Sequence, residues 1–124
     1  MPFVTIVASQ GFPAEKKKQL LEQSSAAVVQ SIGAPQATVR VMLHELPEEN
    51  YLNGGKFGDP LLMYRVDMIE GRTEELKAAL IKALSEAGFS TTGVPENQIR
   101  VRVVDYPKTD MGVAGGITAK QSGR

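Results

Sequence analysis

Four segments of the chain have the apolar pattern of β-strands, and two longer segments have the pattern of amphipathic helices. Within residues 62–69, the apolar Tyr64, Val66 and Met68 alternate with the charged Arg65 and Asp67, as expected for a strand with one buried face. The predicted strands are Phe3–Ser9, 38–45, Leu62–Ile69 and 98–105. Between the last two strands, apolar residues recur every three or four positions and form one stripe of a helix. The stripe consists of Leu76, Leu80, Ala83, Leu84 and Ala87.

Both predicted helices have sequence signals at their ends. Thr73 precedes two glutamates at the start of the second helix, where a hydroxyl cap and negative charge are favourable. The first helix begins at Pro13, a residue that is tolerated at a helix N-terminus, and continues through Leu20, Leu21, Ala27, Val28 and Ile32. A glycine ends each helix, at Gly33 and at Gly93.

The sequence contains two copies of one unit, offset by sixty residues. Twelve residues are identical to the residue sixty positions later without a gap, where roughly four are expected by chance from average composition. The first members of these pairs are Gly11, Glu15, Lys17, Leu20, Ser25, Ala27, Gly33, Pro35, Arg40, Val41, Pro47 and Gly55. The repeat predicts a single domain over residues 1–124, made of two pseudo-repeats at about 2–60 and 62–120.

Each copy is predicted to be a strand, a helix and a second strand, followed by a turn-rich segment at 46–59 or a hairpin and tail at 112–124. A helical crossover of this length implies that the two strands of a copy pair in parallel. The expected fold is therefore α/β, with two β-α-β units in one four-stranded sheet and both helices on one face. The other face carries several arginines, and its lack of cover predicts burial against other subunits.

The amino-acid composition argues against several classes of function. The chain has 124 residues, 14 Lys+Arg, 14 Asp+Glu, one histidine and no cysteine. The lack of cysteine excludes disulfides, thiolate catalysis and zinc-finger sites, and the single His44 argues against a histidine metal cluster or a Ser-His-Asp triad. Zero net charge gives no electrostatic reason to bind nucleic acid or membrane. With no apolar run long enough for a span and no signal-peptide pattern, a cytoplasmic protein is expected.

Pro2 is the first candidate for chemistry. An initiator methionine followed by proline is normally removed, which would leave Pro2 with a free secondary amine. An α-amino group has a pKa of ~7.7–8.0 in model peptides, and both desolvation and nearby guanidinium groups lower it. A neutral amine near pH 7 is a competent general base. Because most proteins that begin in this way make no use of the proline, this prediction depends on the rest of the sequence.

Four features together resemble the 4-oxalocrotonate tautomerase family. They are Pro2 followed by a strand, the Glu70-Gly71-Arg72-Thr73 turn into a helix, Ala34-Pro35 separated by four residues from Arg40-Val41, and a late Gly-Gly pair. The family's unit is a β-α-β of about half this length, so the chain resembles two fused units over nearly its whole length. The individual motifs are short, but their joint order and spacing are specific.

The resemblance implies a cofactor-free keto–enol tautomerase that acts on a 2-hydroxy-dienoate or 2-oxo acid such as 2-hydroxymuconate. Pro2 corresponds to the family's general base, and Arg72 to the helix-entry arginine that binds a substrate carboxylate. Arg40 and Arg100 both correspond to the second-strand arginine, which binds the other end of the substrate and polarises its carbonyl. The sequence does not decide between these two. Met111 stands where the family has an aromatic residue in the wall of the site.

The two copies are complementary in these residues. At the position of Pro2 the second copy has Leu62, which has no free amine, and at the position of Arg72 the first copy has Phe12. One site per chain, built from both copies, is therefore expected. In the family's hexamers the second-strand arginine comes from a neighbouring dimer, which implies a homotrimer of the fused chain.

Two alternatives remain open at this point. The related 3-chloroacrylate dehalogenases and malonate semialdehyde decarboxylase use a cationic amine with an acid or histidine that activates water. Ile69, in place of a second arginine, argues against this chemistry, although Asp110 lies next to Met111. The other alternative is a non-catalytic oligomeric scaffold. Retention of Met1 would favour it, because Met1 would acylate Pro2 and remove the base.

Overall fold

The computed structural model describes residues 2–124, and Met1, whose removal the sequence predicts, lies outside this range. The elements in chain order are β1 (Phe3–Ser9), α1 (Ala14–Ile32), β2 (Arg40–Leu46), β3 (Leu62–Ile69), α2 (Glu74–Thr92), β4 (Ile99–Tyr106), β5 (Gly112–Val113) and β6 (Ile117–Thr118). Short 3-10 helices at Gln36–Thr38, Glu48–Asn50 and Glu96–Gln98 flank β2 and β4. The observed bounds of β1 and β3 are those that the sequence predicts.

The four long strands form one sheet in the order β2-β1-β3-β4. β1 pairs in parallel with β2, β3 pairs in parallel with β4, and the central strands β1 and β3 are antiparallel. The two helices pack against each other and against one face of the sheet. These observations confirm the predicted fold of two β-α-β units with both helices on one face.

The repeat is visible in the ion pairs as well as in the elements. Lys17 of α1 pairs with Glu45 of β2 at 3.0 Å, and the equivalent Lys77 of α2 pairs with Asp105 of β4. Each pair joins a helix to the outer strand of its own copy. The two halves of the chain therefore use the same helix-to-strand contact at the same offset.

The core lies between the helices and the sheet, and it is not symmetric between the copies. Tyr64 stands where the first copy has Val4, and Gly88 stands where it has Val28. A Cβ atom added to Gly88 would lie 2.6 Å from Leu62 Cδ2 and 3.2 Å from the Tyr64 hydroxyl oxygen, so the glycine leaves room for both side chains. That hydroxyl lies 3.0 Å from the Oγ of the buried Ser24 in α1. Burial raises the pKa of Tyr64 to about 12, although the hydrogen bond with Ser24 acts in the opposite direction.

The second strand of each copy begins later than the sequence predicts. The strand expected at 38–45 is observed at Arg40–Leu46, and the one expected at 98–105 is observed at Ile99–Tyr106. Thr38 instead ends a 3-10 turn, because its amide and hydroxyl both donate to the carbonyl oxygen of Pro35, at 2.9 and 2.7 Å. The amide of Gln98 donates to Pro95 in the same way at 2.8 Å.

The buried stripes of the helices also differ from the predicted ones. Leu76, in the first turn of α2, is 37% exposed, so the stripe begins one turn later. The buried residues of α2 are Leu80, Leu84, Gly88 and Thr91, and those of α1 are Leu20, Ser24, Ala27 and Val28. The predicted Leu21, Ile32, Ala83 and Ala87 pack against the core while partly buried. Over residues 2–124, no helix is long and apolar enough to cross a membrane.

The second face of the sheet has no cover within the chain. It carries the exposed side chains of Arg40, Met42, Arg65, Arg100 and Arg102. Arg65 donates to the carboxylate of Asp67 at 2.9 Å, and the pKa of its guanidinium is raised chiefly by that hydrogen bond. The arginine-rich open face expected from the sequence is therefore present.

Candidate active site

Pro2 lies immediately before β1, at one end of the sheet. Its carbonyl oxygen accepts a hydrogen bond from the backbone amide of Arg40 at 3.2 Å, which fixes it to the start of β2. On the other side, Phe3 pairs with Asp67, so Pro2 lies beside the last residues of β3. The side chain of Pro2 is fully buried. The predicted base therefore lies in a low-dielectric environment between the two strands that flank β1.

Arg72 reaches the same end of the sheet from the turn between β3 and α2. The preceding Gly71 has φ +123°, a backbone conformation that favours glycine, and Thr73 caps α2 by accepting from the amide of Leu76 at 3.2 Å. The half-buried Arg72 donates from its guanidinium to the carbonyl oxygen of Ile69 at 3.5 Å. The antiparallel β1–β3 pairing thus brings this turn of the second copy next to Pro2 of the first.

Met111 lies in a small apolar cluster at this end of the sheet. The buried members are Ile69, Met111 and Ala119, with Phe3, Tyr106 and Val113 packed against them. The amide of Ala119 donates to the carbonyl oxygen of Met111 at 2.8 Å, so the segment after β6 folds back over the cluster. Because Phe3 follows Pro2 and Ile69 contacts Arg72, all three predicted residues lie around one end of the sheet.

The two candidate second-strand arginines lie at opposite ends of the sheet. Arg40 pairs with Phe3, whereas Arg100 pairs with Met63, which in turn pairs with Val7. Val7 is four residues along β1 from Phe3, which corresponds to about 13 Å. Within one chain, only Arg40 therefore lies at the Pro2 end.

Both arginines donate to the 3-10 turn that precedes their strand. The guanidinium of Arg40 donates to the carbonyl oxygen of Ala37 at 2.8 Å, and that of Arg100 donates to Asn97 at 2.8 Å. Each acceptor belongs to the 3-10 turn before the strand. The two guanidinium groups thus differ in their position on the sheet, and Arg100 makes one further bond, to the carbonyl oxygen of Ile99 at 3.1 Å.

Comparison with known proteins decides the family. A family model described as "Tautomerase enzyme" matches residues 2–58 and, a second time, residues 64–121. The chain belongs to the tautomerase family. It is an isomerase of the 4-oxalocrotonate tautomerase type, fused from two family units.

The relatives of this tautomerase include single units and fused chains. The 2-hydroxymuconate tautomerase of Pseudomonas putida is 43% identical over 60 residues, which are 48% of this chain and 94% of that protein. The crystal structure of Pt0534 inactivated by 2-oxo-3-pentynoate is 66% identical, with a TM-score of 0.97 over 98% of this chain and 99% of that chain. Q0 fused 4-OT, a symmetric trimer, is 44% identical, with a TM-score of 0.95 at the same coverage.

Two lysines of the tautomerase lie at the Pro2 end and were missed by the sequence analysis. The amide of Lys120 donates to the carbonyl oxygen of Lys108 at 3.0 Å, and both side chains are exposed. Lys108 stands sixty positions after Glu48, and Lys120 lies beyond the hairpin of β5 and β6. A comparison of charges between the two copies would have found this inversion. Together with Arg72, the lysines make this end of the sheet attractive to anions.

The residues considered for hydration chemistry have ordinary surroundings. Asp110 is exposed, and its carboxylate accepts a hydrogen bond from the Thr109 hydroxyl at 2.8 Å. Ile69 is buried in the apolar cluster, and His44 is exposed on β2. In the part of the chain described here, no group of three or more histidine, aspartate or glutamate side chains is placed to hold a metal ion.

Proposed function

We propose that this tautomerase catalyses cofactor-free keto–enol tautomerisation of a 2-hydroxy-dienoate or 2-oxo acid such as 2-hydroxymuconate, with the Pro2 amine as general base. The main support for the proposal is that Pro2 of the first copy and Arg72 of the second copy lie at the same end of the sheet. The name of the P. putida relative and the inactivation of Pt0534 by an acetylenic 2-oxo acid support the substrate class.

The proposed reaction moves one proton. The neutral amine of Pro2 removes the proton from the 2-hydroxyl group and delivers it to the carbon at the far end of the conjugated system. An O–H bond breaks, a C–H bond forms and the double bonds shift, so no redox partner is required. In this proposal the amine acts in its neutral form, which the burial of Pro2 favours over the charged form.

The remaining residues bind and orient the substrate in this proposal. Arg72 holds one carboxylate with two parallel N–H donors, a geometry that lysine does not offer. A second-strand arginine stabilises the negative charge that develops on the C2 oxygen. Met111 supplies an apolar wall, and its flexible side chain replaces the flat ring of the single-unit enzymes.

We further propose a homotrimer in which the arginine face becomes the interface, as in the trimeric Q0 fused 4-OT. If the strands run along the threefold axis of a symmetric trimer, the Pro2 ends of all three chains lie at the same end of the trimer. Arg40 of the adjacent chain then reaches the site, because Arg40 belongs to the Pro2 end of the sheet. Arg100 of the adjacent chain reaches a Pro2 site only if that chain is inverted, so that its Arg100 end lies beside the Pro2 end of its neighbour.

The decisive experiment combines intact mass with turnover. The native protein is expected to lack Met1 and to ketonise 2-hydroxymuconate, and Pro2→Ala is expected to lower kcat/KM by about 10²–10⁴-fold, the range of general-base catalysis. The replacement keeps an amino-terminal amine but changes its basicity and its position. Retained Met1, or equal turnover by wild type and Pro2→Ala, would leave the scaffold alternative in place.

Covalent labelling gives an independent readout. The amine of Pro2 is expected to add to the triple bond of 2-oxo-3-pentynoate, with a mass gain equal to the whole reagent and loss of activity. Peptide mapping should locate the adduct on Pro2, and prior saturation with substrate should protect against it. An adduct on a lysine, or inactivation without any adduct, contradicts the proposed base.

A further inference from the structure

A pocket lies at the end of the sheet opposite Pro2. It has a volume of about 310 Å³ and is formed by the end of β1, the loop after β2 and the segment before β3. Its lining includes Phe12, Pro47, Glu48, Tyr51 and Asp59. This volume lies at the lower end of the range of about 300–1,000 Å³ for small-molecule sites. The pocket is the first copy's counterpart of the candidate active site, with Phe12 at the position of Arg72 and Tyr51 at the position of Met111.

The ionisable lining of this pocket has the opposite charge from that of the Pro2 end. Within residues 2–124, its lining contains the two carboxylates of Glu48 and Asp59 and no lysine or arginine. A Cβ atom added to Gly58 would lie 2.8 Å from Glu48 Oε1, so the Glu48 carboxylate lies against the segment that carries Asp59. Glu48 and Asp59 therefore both line the pocket, and Glu48 lies against the residue that precedes Asp59.

The two aromatic side chains supply the rest of the surface. Phe12 and Tyr51 are both half-buried and line the same cavity. Burial raises the pKa of Tyr51, the charge of Asp59 raises it further, and the guanidinium of Arg100 has the smallest effect, in the opposite direction. The phenol therefore stays neutral at physiological pH. Neutral aromatic faces beside carboxylates attract organic cations, and they offer no donor pair to a carboxylate.

We propose that this pocket is a second small-molecule site in each chain, which binds an organic ammonium ion with an aromatic or alkyl body. The ammonium group lies toward Glu48 and Asp59, and the apolar body lies against Phe12 and Tyr51. The two like charges disfavour a dicarboxylate. The proposal is independent of tautomerisation, because Pro2 and Arg72 lie at the other end of the sheet.

The test uses three probes with one phenyl group and one short chain: phenethylammonium, 2-phenylethanol and 3-phenylpropionate. Each is titrated into the intact native assembly, and backbone amide NMR shifts are followed separately at Phe12, Tyr51 and Gly58 and at Arg72 and Met111. Phenethylammonium should shift the first group, with a Kd about tenfold lower than that of 3-phenylpropionate at the same residues. The neutral alcohol should lie between them.

Variants then separate charge from shape. The double variant Glu48→Gln, Asp59→Asn should remove the preference for the cation while the alcohol still binds. Phe12→Arg restores the residue of the other copy and should reverse the preference toward 3-phenylpropionate. Lys108→Gln, at the opposite end, is the matched control and should change none of the three affinities at Phe12.

Two results with the wild-type protein would overturn the proposal. One is an equal or greater affinity of the pocket for the anion. The other is the absence of shifts at Phe12 and Tyr51 with every probe, which would mean that a neighbouring chain occupies the pocket. Should the double variant fail to fold, Asp59→Asn alone is compared with wild type, and an unchanged ratio of cation to anion affinity also counts against the proposal.

Discussion

The backbone amide of Arg40 donates a hydrogen bond to the carbonyl oxygen of Pro2 across 3.2 Å. The bond connects the proposed base to a residue whose guanidinium is proposed to act in the next chain of the trimer. Because only backbone atoms take part, truncation of the Arg40 side chain leaves the bond in place. Side-chain variants at this position therefore test the guanidinium without releasing Pro2.

Arg40→Ala is expected to lower kcat/KM by about 10²–10³-fold, the usual effect of losing one donor to a developing oxyanion. Arg100→Ala is expected to cost less than about tenfold, because Arg100 belongs to the other end of the sheet. Steady-state kinetics with 2-hydroxymuconate measure both, with native mass to verify that each variant remains assembled. The reverse order of effects would indicate a trimer with a chain turned end over end.

Arg72→Ala is expected to lower kcat/KM for a dicarboxylate by about 10–100-fold, since hydrogen bonds to a charged group contribute about 1.5–3 kcal/mol. Arg72→Lys should recover part of this loss, because it keeps the charge but not the paired donors. The matched control is Lys82→Ala, an exposed cation of α2. If a substrate without the second carboxylate loses as much as the dicarboxylate, Arg72 does not bind that group.

Lys108→Glu is expected to reduce kcat/KM several-fold at low ionic strength, because it reverses one charge that attracts the anionic substrate. The reduction should shrink at high salt, where the Debye length falls to about 3 Å. Glu48→Lys makes the opposite change at the equivalent position of the other copy and should leave kcat/KM nearly unchanged. Equal effects of the two variants would assign the change to net charge rather than to the Pro2 end.

Tyr64 makes stability dependent on alkaline pH. Its pKa is about 12 in the folded chain against an ordinary value of 10.0, so below about pH 10 the phenol is neutral in both states and its contribution is complete. Between pH 10 and about 12 the unfolded chain loses the proton first, and the free energy of unfolding falls with rising pH by up to about 3 kcal/mol.

Urea denaturation at several alkaline pH values checks this prediction against Tyr64→Phe. The variant should be less stable near neutral pH by about 1–3 kcal/mol, because the buried Ser24 hydroxyl loses its partner. Its stability should then decline less steeply as the pH rises. Parallel curves for the two proteins would show that another group causes the alkaline loss.

The fold was predictable because the alternation of apolar and polar residues and the repeat at an offset of sixty residues can both be read directly from the sequence. The alternation of Tyr64, Val66 and Met68 with charged residues defines β3, and its observed bounds match. The start of β2 was not predictable from alternation, since it depends on a turn closed by the carbonyl oxygen of Pro35. The pairing of Tyr64 with Gly88 was missed for a related reason, because a helical glycine carries no signal until the facing side chain is known.

The candidate site was only partly predictable. The resemblance indicated Pro2, Arg72 and Met111, and the antiparallel β1–β3 pairing brings them to one end of the sheet. It left Arg40 and Arg100 equivalent, because both follow the same proline-containing turn. Only the register of the sheet distinguishes their ends, and register depends on contacts between distant residues.

Leu62 is buried within the chain at the position equivalent to Pro2. If the base is a terminal amine, the number of reactive centres in an assembly equals the number of polypeptide chains, whatever the number of repeats in each. Fusion of two units into one chain therefore halves the number of reactive centres per β-α-β unit. In return, the covalent link fixes which two units pair. A circular permutant that begins with proline at position 62 and carries arginine at position 12 would move the reactive centre to the opposite pole of the sheet.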